Sequence, residues 1–293
     1  MTIWAQSYLN KIATFKKDKT LAKPGSLLIS AGILLFSSTA WSGAWVPEVG
    51  SGYSKFAFSD YKADDFFGDN ATSVDFSGQN YSYYGEYGFT KDFAIYGTLL
   101  YQDLEQINNA GVASESSGFG DTEIGIRYQW QAQPFVVSTS FLVKLPFLYD
   151  ENDALPRGNG QEDYELRILF GRSLNEYGYL GFEAGYRLRT GAPSDEYRYL
   201  FEYGFSVSDN FYLRTKVDTT ISANNADTVS NNSNLSITPE FDLTKLELTA
   251  GWTLGDAKSS KEKWGVEITY RQDLDGENTL EGDGFEIGLT RVF

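Results

Sequence analysis

Glutamate and arginine recur at even spacings along this chain: Glu123 with Arg127, Glu165 with Arg167, Glu183 with Arg187, Arg198 with Glu202 and Glu267 with Arg271. Arg214, Lys216 and Glu247 fall into the same rhythm. In extended chain, residues two or four apart lie on one face, so each set presents its charges together. Mixed charge on an inner face has two uses. Lining an aqueous path, it makes a constriction that selects small polar or anionic solutes. Paired across neighbouring strands, it fills and stiffens an interior, because an unpaired buried charge is costly. An anion pore should carry an excess of Arg, whereas this set is nearly balanced. The balance favours the stiffening lattice.

Other chemistry is limited by what is missing. The 293 residues include no His and no Cys. That removes imidazole bases, thiol nucleophiles, Cys-ligated metals and disulfides. No enzyme activity and no cofactor are expected. Lys+Arg number 24 against 40 Asp+Glu, a net charge of -16, which argues against a nucleic-acid partner. Carboxylates gather at Asp64, Asp65 and Asp69, at Asp150, Glu151 and Asp153, and at Asp273, Asp275, Glu277, Glu281 and Asp283. Such oxygens suit calcium, or divalent bridges to lipopolysaccharide phosphates. Asp273–Asn278 has its Gly at the fourth position rather than the sixth, so it is no EF-hand, and solvated loop charge is the simpler reading.

Strands must carry the paired charges. Tyr164, Leu166, Ile168 and Phe170 alternate with charged or small residues, as do Leu180–Leu188, Tyr197–Phe205 and Ile124–Trp130. Period two is the strand pattern. Further segments lie at 53–61, 81–89, 93–101, 135–145, 211–219, 235–243, 246–254, 264–271 and 285–293. Short connections (90–92, 131–134, 173–176, 208–210) alternate with long ones (62–74, 103–118, 146–162, 221–233, 272–284). A soluble sandwich would bury the aromatic face, whereas a barrel in lipid turns it outward. Runs of nine or ten residues match a tilted transmembrane strand. Trp130, Trp252, Trp264 and Tyr197 near strand ends suit interfacial girdles. The expected fold is an all-β transmembrane antiparallel barrel. Merging 235–243 with 246–254 across a bulge at Leu243–Leu246 gives twelve strands, and fourteen is the alternative.

The first residues read differently. Lys11, Lys16, Lys17, Lys19 and Lys23 precede the apolar run 26–37, followed by small residues around Ala40–Ala44. This is the pattern of a cleaved signal peptide, and the run is too short to span a bilayer. Cleavage after Ser42 and cleavage after Ala44 both fit. Residues 1–43 are therefore assigned to the signal and 44–293 to a single barrel in the outer membrane of a Gram-negative cell.

The C-terminal strand, with Phe285, Ile287, Leu289 and terminal Phe293, resembles the signal by which the barrel-assembly machinery recognises its substrates. Arg291 departs from the apolar or Tyr residue usual there. Gly43-Ala44-Trp45-Val46-Pro47, Gly118–Tyr128 (GFGDTEIGIRY), Tyr164–Arg167, Gly171–Ser173 and Gly185–Arg189 are similar to XagA-type outer-membrane proteins. They are also similar to the transporter-like family associated with meta-pathway phenol degradation. The first resemblance implies a link with exopolysaccharide and biofilm, the second passage of small aromatic compounds. Neither supplies binding residues. The expected role is a narrow pore for small solutes or one associated with polysaccharide export. The alternative is a plugged structural or adhesion barrel whose acidic loops contact polysaccharide or lipopolysaccharide.

Overall fold

The computed structural model describes residues 43–67, 74–107, 111–150, 153–227, 234–255 and 262–293. Residues 1–42 of the signal segment, Asp69 and Glu151 lie outside them. All but one of the alternating segments become strand along most of their length: β1 (Gly52–Phe66), β2 (Asp75–Gly88), β3 (Phe93–Ile107), β4 (Ala113–Phe119), β5 (Thr122–Gln131), β6 (Val136–Leu145), β7 (Asp163–Ser173), β8 (Tyr179–Arg189), β9 (Glu196–Ser206), β10 (Phe211–Ser222), β11 (Asp242–Thr253), β12 (Lys263–Glu277) and β13 (Leu280–Val292).

Every pairing is antiparallel. β13 bonds to β1, and the remaining strands pair in sequence from β1 to β3 and from β5 to β13, so the sheet closes on itself. β4 and β5 share one neighbour: β5 pairs with Phe93–Thr98 of β3, and β4 with Tyr101–Ile107 of the same strand. The ring therefore holds twelve strands, with β4 as one further strand. Closure leaves no edge around the ring for another chain to pair with.

The layering is inside out relative to a soluble sandwich. Leu166 is 56% exposed and Phe201 47%, while Glu165 and Glu267 are 1% exposed. A water-soluble protein would reverse these values, because burying apolar area is the main drive to fold. A closed barrel with apolar residues outward and ions inward is an outer-membrane fold. Trp130, Trp252 and Trp264 are exposed at one end of the ring, where amphipathic rings sit at headgroup level. That end carries the short turns and the junction of Gly52 with Phe293, which exchange backbone hydrogen bonds at 2.8 and 3.0 Å. Short turns mark the periplasmic end.

Two expectations are corrected. Residues 235–241 are not strand; the merged segment forms β11 from Asp242. The bulge sits opposite Thr244 and Lys245, with Leu274 as the extra residue on β12. Much of the expected loops 62–74, 103–118 and 272–284 is also strand. β1, β3 and β12 each run 15 residues, beyond what spanning requires. Their sheet rises past the membrane, and β12 meets β13 through Asn278 and Thr279 alone. Asn278 takes φ 55, the left-handed conformation that Asn tolerates in tight hairpins.

Candidate functional site

The charged side chains meet inside the ring because strand register sets them opposite one another. Glu202 of β9 faces Lys216 of β10, Lys216 faces Glu247 of β11, and Glu247 faces Arg271 of β12. The result is a row of alternating sign across four strands, with separations of 3.6, 3.9 and 3.1 Å. On the adjoining strands Glu165 of β7 lies against Arg187 of β8. Arg187 Nε donates to Glu165 Oε2 at 2.7 Å and Nη2 to Glu123 Oε1 at 3.0 Å. Arg167 bridges Glu165 and Glu183. Glu267 collects Lys55, Arg214 and the Tyr212 hydroxyl. Arg198 pairs with Glu196, and Arg127 with Glu86.

Several interior residues escaped the sequence reading. Lys55, Glu86, Lys144, Asp163, Arg189, Glu196 and Glu286 all join the lattice. Lys55 and Glu286 occupy the inward parity of β1 and β13, so alternation could have found them. Tyr84, Tyr179 and Tyr212 also turn inward and donate to Glu86, Glu202 and Glu267. Each shares parity with an inward charge on its own strand, Tyr84 with Glu86, Tyr179 with Glu183 and Tyr212 with Arg214, so alternation could have found them as well.

The periplasmic end is narrowed by residues 43–51, which precede β1. Ala44 is buried beside Val136 and Leu169, with Trp45 packed on them. Ser138 Oγ donates to Ala44 O, and Arg127 Nη1 to Trp45 O at 3.3 Å. Val46 N donates to Gln129 Oε1 at 3.1 Å. The Trp45 indole occupies the space above Gly171 that any Cβ there would take, and meets Tyr179 edge-on. Gly at 171 is thus a packing requirement.

The extracellular end is covered by its loops. Leu155, 1% exposed, inserts among Ala63, Val74, Phe76, Leu104 and Leu280, with Leu235 packed against the same cluster. The two loops join where Asn234 Nδ2 donates to Pro156 O at 2.8 Å. Leu235 N donates to Gln106 Oε1 at 3.0 Å. Arg157 fastens the cover to β4, donating to Ser116 Oγ at 2.6 Å and to Phe119 O at 3.1 Å. Inside the ring lies a cavity of about 350 Å³, lined by Tyr84, Arg127, Arg167, Glu183, Arg214 and Glu267 among others, and it reaches Lys263 and Trp264 at the periplasmic rim. That volume is the lower end of the range for small-molecule sites.

The loop carboxylates form no metal cage: among the described residues no group of three or more potential ligands converges. Asp273 accepts instead from Tyr61 Oη at 2.7 Å and Gly282 N at 3.2 Å. The stretch 273–277 is strand interrupted by the bulge at Leu274, so Asp273 is buried while Asp275 and Glu277 are exposed. At the other end Phe285, Ile287 and Leu289 are exposed on the outer wall. Arg291 lies over the Trp264 and Phe293 rings and donates to Glu262 at 2.9 Å. A guanidinium at the rim can occupy this place in the C-terminal strand because its charge stays at the water boundary.

Neither a family model nor a curated protein matches the sequence. Solved structures do resemble it. An outer-membrane channel from Pseudomonas putida F1 superimposes with a TM-score of 0.68 at 14% identity, covering 87% of this chain and 100% of that one. A NanC porin aligns at 9% identity over 80% of this chain and 98% of that one, with a TM-score of 0.49. The likeness to the Pseudomonas putida channel concerns the fold: a closed outer-membrane barrel.

Proposed function

We propose that the protein is a narrow outer-membrane pore for small polar solutes, without enzymatic activity. The observation that carries this reading is the cavity of about 350 Å³ within an interior of mixed charge. A lumen meant only to be filled could be packed with apolar side chains at lower desolvation cost. Balanced signs offer a path to neutral or zwitterionic solutes and little preference between simple ions. The path is narrowed at both ends, so passage requires movement of the N-terminal segment, the loop cover or both. Liposome swelling tests the reading: vesicles containing the protein should admit small amino acids or glycerol and exclude disaccharides. Swelling no faster than in protein-free vesicles, for every solute, would contradict it.

A second reading follows from those same covers. Leu155, Ala44 and Trp45 would then be permanent seals, and the ion-paired interior a rigid strut. The surface of loop 146–162 and the tall β12–β13 hairpin would contact lipopolysaccharide or matrix polysaccharide. Two finer versions of the pore rest on the resemblances of the sequence. Polysaccharide-synthesis genes beside this one would support export and biofilm, and aromatic-degradation genes would support uptake of small aromatic compounds.

A further inference from the structure

We infer that the protein is processed at the Ser42–Gly43 bond, and that the Gly43 ammonium so created docks on the Glu183 carboxylate inside the barrel. The sequence leaves two cleavage positions open, and the interior distinguishes them. Cleavage after Ala44 would remove a residue the wall is built around. Ala44 is 1% exposed, and its carbonyl accepts the hydroxyl of Ser138, itself 0% exposed. Losing Ala44 would strand that hydroxyl and leave a void beside Val136 and Leu169. Cleavage after Ser42 keeps all of these contacts.

The position of Gly43 supplies the second argument. A Cβ built on Gly43 would overlap Glu183 Oε1, and Leu169 Cδ2 would lie 3.2 Å away. The residue therefore sits against a carboxylate oxygen, which a side chain here would displace. Glu183 Oε2 is engaged by Arg167 at 2.9 Å, and Glu183 is 13% exposed at its side chain. Arg167 is itself shared with Glu165, and Arg127 is committed to Glu86. Three carboxylates thus crowd a region in which Arg127 and Arg167 are already engaged. A half-buried carboxylate whose one ion pair, to Arg167, is shared with a second carboxylate gains from a further positive charge. Hydrolysis supplies one: water adds across the amide, Ser42 leaves as a carboxylate, and Gly43 becomes an ammonium. An envelope signal peptidase is the catalyst required. Docking then follows processing, so the N-terminal segment is secured in the lumen only once the leader is gone.

Two measurements on membrane-extracted protein test this. N-terminal sequencing with intact mass should give Gly43 as the first residue; Trp45, or a retained leader, would overturn the assignment of the bond. Acetylation of the α-amine by a water-soluble succinimidyl ester tests the docking. The wild-type amine should react slowly, and Glu183→Gln should speed it about tenfold, as loss of one adjacent opposite charge allows. Gly43→Ala, whose methyl group displaces the Glu183 carboxylate from beside the terminus while leaving every charge in place, should speed it as well. Equal rates in all three proteins, each checked for the folded barrel by its heat-modifiable gel mobility, would overturn the docking. Neither result depends on whether the barrel conducts.

Discussion

Arg187 on β8 stands directly opposite Glu165 on β7, its Nε 2.7 Å from Glu165 Oε2, with both residues buried in the barrel interior. Removing one member of such a pair leaves an uncompensated charge. Arg187→Met should cost roughly 3–5 kcal/mol in folding, and the double variant with Glu165→Gln should recover much of it. Urea titration of barrels folded into lipid vesicles, followed by gel mobility, gives both numbers.

Facing is tested by neighbours of opposite parity. Phe182 is exposed on the outer wall and Gly181 is buried on the inner one. Phe182→Arg should lower stability by about 2–4 kcal/mol, the cost of an arginine at mid-bilayer. If Phe182→Arg folded like wild type while Gly181→Arg did not, the assignment of faces would be inverted.

The extracellular cover depends on one leucine. Leu155→Ala removes the side chain that fills the cluster of Phe76, Leu104 and Leu280, and should weaken loop closure by about 2–5 kcal/mol. Limited proteolysis of intact cells reads this out. Cleavage between residues 153 and 162 should rise at least several-fold while the barrel itself stays folded.

Acid should loosen the neighbouring loop. Burial works against the Asp195 carboxylate, but Arg189 N, Tyr186 Oη and Asn225 Nδ2 donate to it at 2.8, 2.7 and 2.9 Å. Together they hold its pKa below the usual carboxylate range. A depressed folded value means that the stabilisation is complete above the unfolded pKa, about 3.9, and is lost as pH falls through the folded one. Amide protection factors at residues 190–195, corrected for the pH dependence of intrinsic exchange, should therefore stay constant from pH 7 to 5 and fall near pH 3. Asp195→Asn should remove that change.

The wall was legible in the sequence because lipid enforces alternation. Leu166, Ile168 and Phe170 must be apolar, and Glu165 and Arg167 need not be. Where lipid stops, the pattern stops too. Beyond the membrane both faces of β12 meet water or loops, so Asp273–Glu277 reads as loop although it is strand. The inward tyrosines were hidden for another reason: Tyr84 is aromatic like Tyr81 and Tyr83, and only its shared parity with Glu86 reveals its side. The two covers were not legible at all. Ala44, Trp45 and Leu155 lie in segments without periodicity, and their burial depends on partners more than 80 residues away in Gln129 and Ser138, and on Ala63, Phe76 and Leu280 for Leu155.

Trp45 gives the narrowed periplasmic end its bulk, over Gly171 and against Tyr179. Single-channel recording in planar bilayers, comparing wild type with Trp45→Ala, addresses the conduit most directly. The account predicts small discrete steps for wild type and clearly larger ones for Trp45→Ala, with weak preference between potassium and chloride. Silence from both proteins across the full voltage range would contradict it and leave the sealed barrel as the reading.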